Sequence, residues 1–181
     1  MGKNSKVIGF LKGESTDARG KYISQYWDAT DEELEKDHAY IQWLFPLDTP
    51  SEYNPDAPVI TKEDMKAMQE DSDVKRNMVT SFTRMAEFYG FYMTDGKLVP
   101  TFGYRICRPS WLTPWNHNFK RITRIIRSLR IAGLSDVSEL FYKKMEEIAK
   151  EHPRTVGKST EYWRAAFEDP LDTEDNVGNE V

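Results

Sequence analysis

The chain has 181 residues, a mass of 21.1 kDa and a net charge of −5, with 39% hydrophobic and 13% aromatic residues. A chain of this size buries roughly 70% of the surface it exposes when unfolded, which excludes global disorder and any need for a structural metal or disulfide. A single cysteine, Cys107, excludes an intramolecular disulfide and a cysteine-based zinc site, and points to a reducing compartment: cytoplasmic, or nuclear in a eukaryote.

No segment approaches the roughly 18 consecutive apolar residues of a membrane span, and Met1 to Leu11 reads as neither a signal peptide nor an anchor. Asp169, Asp172, Glu174, Asp175 and Glu180 carry the whole net charge, with no lysine or arginine after Arg164. The expectation is one neutral domain over 1–168 and a disordered acidic tail over 169–181.

In chain order, Val7 to Leu11 is a short apolar run, read as a strand or an extended lead-in before the turn clusters at 12–14 and 17–20. Asp28 or Thr30 caps a helix that runs through Leu34 to Phe45, where Pro46 stops it. Pro50, Pro55 and Pro58 make Asp48 to Val59 a loop. Thr61 opens a helix carrying Met65 and Met68. A core helix follows from about Asp71, with Val74, Met78, Phe82 and Met85 at helical spacing as far as Gly90. Asp95-Gly96 turns a small hairpin between 91–93 and 97–99. Pro109 to Trp115 is a rigid connector, after which Thr113 or Asn116 opens a basic helix ending at Gly133. Ser135 caps a further helix, and Ser159 or Thr160 opens a last one, closed by Pro170. The sum is a mainly α, single-domain bundle of five or six helices with at most a small hairpin.

Two segments carry more than packing. In His38 to Pro46, a helical projection puts His38 with Leu34, Ile41 and Phe45, and sets Gln42 one turn later at the edge of that face. That reading carries a histidine into apolar surroundings, as a core imidazole or as a ligand-binding one. In Asn116 to Arg130, Phe119, Ile122, Ile125, Ile126 and Leu129 share one face, and His117, Lys120, Arg121, Arg124 and Arg127 share the other. His117, Arg121 and Arg124 stand at i, i+4 and i+7, so they can converge on one anion; the plain alternative is a solvated basic face paired with acids such as Glu139 or Glu146. Asn118, near the edge of the apolar arc, needs partners, and a polar junction with His38 or Gln42 would link the two segments. Trp111 and Trp115 are available for base stacking.

The same runs, His38 with Ile41-Gln42-Trp43-Leu44-Phe45-Pro46, and His117-Asn118 followed by Arg121-Ile122-Thr123-Arg124-Ile125 and Ser128-Leu129, resemble signatures of the opioid growth factor receptor family. The lead-in Phe10, Gly13, Asp17, Gly20 with Tyr26-Trp27-Asp28 is similar too, as is Tyr162-Trp163-Arg164-Ala165, so the resemblance covers roughly residues 7 to 167. It implies a mainly helical domain. The family's animal members bind a small opioid peptide and restrain growth from near or within the nucleus, and the resemblance supplies no catalytic residue.

Three functions follow as expectations. The first is a non-enzymatic binding or regulatory module that takes a small ligand or peptide in a cleft between the His38 and Arg121 helices, with no cofactor. The alternative is binding of a nucleotide or nucleic-acid phosphate by the basic helix 117–130, which should weaken steeply with salt. An enzyme using His38 or His117 as general base has only those two histidines behind it. No phosphate loop, nucleophile elbow, metal-ligand cluster or paired-carboxylate motif is present in the sequence.

Overall fold

The computed structural model describes residues 5–171. Eleven helices and one hairpin form among them, in the order α1 (Lys6–Lys12), α2 (Ile23–Trp27), α3 (Asp31–Lys36), α4 (Ile41–Leu44), α5 (Lys62–Glu70), α6 (Ser72–Tyr89), β1 (Phe91–Thr94), β2 (Lys97–Pro100), α7 (Phe102–Ile106), α8 (Asn118–Ile131), α9 (Ser135–Glu151), α10 (Pro153–Val156) and α11 (Ser159–Glu168). Only α5, α6, α8, α9 and α11 exceed seven residues. The expected mainly helical domain is thus built on five longer helices, with short ones turning corners between them. Most of the expected acidic tail lies outside the described residues. Its first part packs: Leu171 is buried and the Asp169 carbonyl accepts from Arg130.

Local chemistry accounts for most boundaries. The Thr30 and Thr61 hydroxyls accept from the amides of Glu33 and Asp64, whose carboxylates return to the Thr30 and Thr61 amides. Asp71 accepts from the Asp73 and Val74 amides at the head of α6, which ends at Gly90 with φ +97°. The hairpin pairs Phe91 with Pro100 and Thr94 with Lys97 around Asp95-Gly96.

Two expectations fail for a physical reason. Val7 to Leu11 is helical, capped by Ser5 and stopped by Gly13 at φ +79°; all five residues are buried, so they carry no periodicity that separates helix from strand. The single helix expected from about Thr30 to Phe45 is broken into α3 and α4. Asp37 adopts ψ 120°, and its carboxylate accepts from the Ala39 amide and from Arg19, which turns the chain. The carbonyls of Leu34, Glu35 and Asp37, freed at this break, accept from Arg121.

The core lies among α1, α4, α6, α8, α9 and α11. α8 is its axis: Ile122, Ile125, Ile126 and Leu129 are fully buried, each contributing about 1.5–3 kcal/mol relative to exposure. α9 and α11 pack along α8, and the Trp163 indole N–H donates to the Phe119 carbonyl at 3.0 Å. α6 meets α9 through Phe82 and Phe141, edge to face at 5.3 Å, and meets α1 through Asn77, which donates to the Leu11 carbonyl.

Candidate functional site

The polar side of α8 faces the segment 34–48 rather than open solvent. Arg121 is 5% exposed, and its guanidinium donates to the carbonyls of Leu34, Glu35 and Asp37, to the Tyr40 hydroxyl and to Asn118 Oδ1. Its charge lies 3.7 Å from Glu35 Oε2 and over the Tyr40 ring. One turn on, Arg124 donates to the Phe45 carbonyl; burial lowers its pKa to about 10, so it stays charged at neutral pH. Arg127 holds Asp48 through two hydrogen bonds of 2.8 and 3.1 Å. Ser128 donates to the Pro46 carbonyl, and Arg130 to those of Ala166 and Asp169.

The cations at i, i+4 and i+7 therefore fan out across the α3–α4 segment instead of converging on one point. Arg121 and Arg124 serve carbonyls that a broken or ended helix leaves without donors, and His117 faces the Glu35 carboxylate. The expected cleft between the two segments is filled by these side chains. Lys120, exposed, donates to the Tyr53 hydroxyl.

What remains open is the start of α8. His117 Nε2 lies 3.1 Å from Glu35 Oε1, and the His117 ring stands edge to face with that of His38 at 5.4 Å. Asn118, fully buried, donates from Nδ2 to Glu35 Oε2 and to Asn116 Oδ1. The polar junction expected between Asn118 and His38 or Gln42 is not what forms: Asn118 takes Glu35 and Asn116 as partners, Gln42 turns to the His38 carbonyl, and the His38 ring meets that of His117. His38 itself is exposed, because the break after Lys36 turns it away from the apolar face predicted for it. Gln42 is buried and donates to the His38 carbonyl, fixing that turn. Burial holds His117 below the ordinary imidazole range; the charges of Arg121 and His38 push the same way, and Glu35 opposes them.

The two connector tryptophans part company. Trp111 is buried and donates to the Tyr89 carbonyl at 3.1 Å, so it belongs to the core. Trp115 is 98% exposed and sits at φ +61°. Asn116 builds the turn that holds it there: Nδ2 donates to Thr113 Oγ1 at 3.0 Å, and Oδ1 accepts from the Asn118 amide at 2.9 Å. Sequence reasoning missed Glu35 and Asn116 as site residues; Glu35 reads locally as one of several acids in a helix's first turns, and only the packed structure shows what it faces. Among the described residues no group of three or more His, Cys, Asp or Glu is placed to hold a metal ion, and no helix is long and apolar enough to cross a membrane.

Comparison with known proteins agrees with the resemblance. The profile of the opioid growth factor receptor (OGFr) conserved region matches residues 12–172. The chain is 35% identical over 114 residues to the opioid growth factor receptor of Rattus norvegicus, covering 62% of this chain and 20% of that one. The receptor of Homo sapiens is 33% identical over 117 residues, covering 62% and 17% respectively. Opioid growth factor receptor-like protein 1 of Rattus norvegicus is 32% identical over 119 residues, covering 63% and 25%. The match thus spans a quarter or less of these relatives' own length. No solved structure matches the chain.

Proposed function

Because the chain belongs to the opioid growth factor receptor conserved-region family, we propose that it is a non-enzymatic binding module whose recognition face is the start of α8, where Trp115, His117 and His38 are exposed together. The observation that carries this reading is Trp115. A bulky residue in the left-handed region costs about 1–3 kcal/mol, and a fully exposed indole returns none of it through burial. The Asn116 hydrogen bonds nevertheless hold the side chain outward, which is how an interface anchor is presented. The relatives carry the name of a receptor for an opioid growth factor, so a short peptide is the ligand class this reading favours.

Phosphate binding through α8 would draw on Arg121, Arg124 and Arg127, whose guanidiniums already serve carbonyls and Asp48. No specific observation favours it over the peptide reading.

The test is titration of the protein with an opioid pentapeptide, followed by the indole N–H resonances. The expected result is saturable movement of the Trp115 resonance, only weakly dependent on salt, with peptide binding measured by calorimetry lost in Trp115→Ala without a change in melting temperature. A peptide that leaves Trp115 unmoved, or a phosphate-bearing oligonucleotide that moves it with steep salt dependence, overturns the reading.

A further inference from the structure

The Trp43 run of the family signature has no part in the face just described. Trp43 is 6% exposed and packs edge to face on Phe10 at 5.4 Å. Three other indoles spend their N–H on the fold: Trp27 on Ser81 Oγ, Trp111 on the Tyr89 carbonyl and Trp163 on the Phe119 carbonyl. The Trp43 N–H has no hydrogen-bond partner among the described residues, and it is not one of the polar atoms sealed from solvent, so it stays open to a ligand oxygen.

Trp43 lines a cleft of about 650 Å³ between the head of α1, the turn at 18–19 and the proline-bearing loop 54–59. The loop wall is held in place. Val59 bridges to Leu47, the Ile60 amide donates to the Leu47 carbonyl, and Asn54 accepts from the Asp56 amide. Val7 and Pro58 add apolar lining. Lys6 stands at the rim with its ammonium 5.7 Å from the centre of the Trp43 ring, and it makes no ion pair among the described residues.

The other charged groups of the cleft differ from Lys6. The Asp64 carboxylate caps α5 through the Thr61 amide, and Arg19 is held by Asp37 and Asp17. Asp56, on the loop, is exposed, so solvent and salt screen its repulsion of an anion at Lys6. A second cleft of similar volume, beside Tyr26, lacks such a set: Gln25, Glu33 and Asp37 there are already bonded to Tyr22, Thr30 and Arg19.

We infer that the Trp43 cleft is a binding site for an apolar group bearing one carboxylate, with Lys6 taking the charge, the Trp43 N–H donating to a ligand oxygen, and Val7 and Pro58 enclosing the apolar part. Such a carboxylate is supplied either by a free N-acylated amino acid or by the C-terminus of a peptide. The site is independent of the α8 face, so each stands or falls alone.

The test uses the indole N–H spectrum again, with Trp43→Phe to assign the resonance. N-acetylphenylalanine and a tetrapeptide ending in phenylalanine are titrated beside their C-terminal amides. The expected result is saturable movement of the Trp43 resonance by at least one acid and by neither amide, with the two acids separating the sources. In Lys6→Met the affinity falls roughly tenfold, the loss of one charge-assisted hydrogen bond. No movement of the Trp43 resonance by either acid up to about 10 mM, equal movement by acid and amide, or unchanged affinity in Lys6→Met overturns the inference. Failure of the α8 reading is seen separately, at the Trp115 resonance.

Discussion

Arg121→Ala separates a structural arginine from a ligand-binding one. The substitution removes the donor from the carbonyls of Leu34, Glu35 and Asp37 and from the Tyr40 hydroxyl. It also removes the cation nearest Glu35 Oε2. A hydrogen bond to a charged group contributes about 1.5–3 kcal/mol, but water can reach the partly buried carbonyls and Glu35 and recover some of this. The net loss comes to about 3 kcal/mol, at the lower end of the cost of breaking a buried ion pair. Against a total stability of about 5–15 kcal/mol that is a large share. Urea unfolding followed by circular dichroism reads it as a midpoint lowered by roughly 1.5 M at unchanged slope, taking a slope of about 2 kcal/mol/M. Arg121→Lys recovers only part, because an ammonium cannot reach three carbonyls as the guanidinium fork does. Lys120→Ala, one residue away and exposed, stays within about 0.5 kcal/mol of wild type. An Arg121→Ala protein that loses less than about 1 kcal/mol, or an Arg121→Lys protein as stable as wild type, refutes the assignment of Arg121 to the α3–α4 break.

Trp115→Gly relieves a positive φ and exposes no core, so thermal unfolding should show equal or greater stability, by up to about 1 kcal/mol, while peptide binding is lost. Gly90→Ala does the opposite: φ is +97° and a Cβ would lie 2.8 Å from the Tyr104 ring, so a loss of about 2–3 kcal/mol is expected in the same assay. His117 is held below its unfolded pKa chiefly by burial, so its contribution is present above the unfolded value near 6.5 and is lost as pH falls through that value towards the folded one. Melting temperatures measured between about pH 7 and pH 5 should therefore fall further for wild type than for His117→Gln; equal falls would remove His117 from the balance.

The parts of the fold written in local chemistry were legible. α5 and α6 announce themselves by a threonine or aspartate cap, an apolar period and, for α6, a glycine stop, and the hairpin by Asp95-Gly96. The break between α3 and α4 was not, because the donor that captures its freed carbonyls comes from Arg121 in α8, far along the chain. Local propensity favours continuing the helix, and a distant guanidinium decides otherwise.

The candidate site was half legible for a related reason. Helical projection put His117, Lys120, Arg121, Arg124 and Arg127 on one side of α8, but direction from the axis does not say where a long side chain ends. An arginine carries its charge several ångströms from the backbone and can fold it over a neighbouring element. Here the neighbour is a segment rich in unpaired carbonyls, those of Leu34, Glu35, Asp37, Phe45 and Pro46, and the polar stripe is absorbed into them. Trp115, His117 and His38 stay exposed beside it. Trp115 differs from Trp111 by a backbone angle and an asparagine turn that composition does not reveal. A run of arginines on a helix measures anion affinity only after the groups within their reach have been counted, and on α8 that count gives Arg121, Arg124 and Arg130 to carbonyls and Arg127 to Asp48.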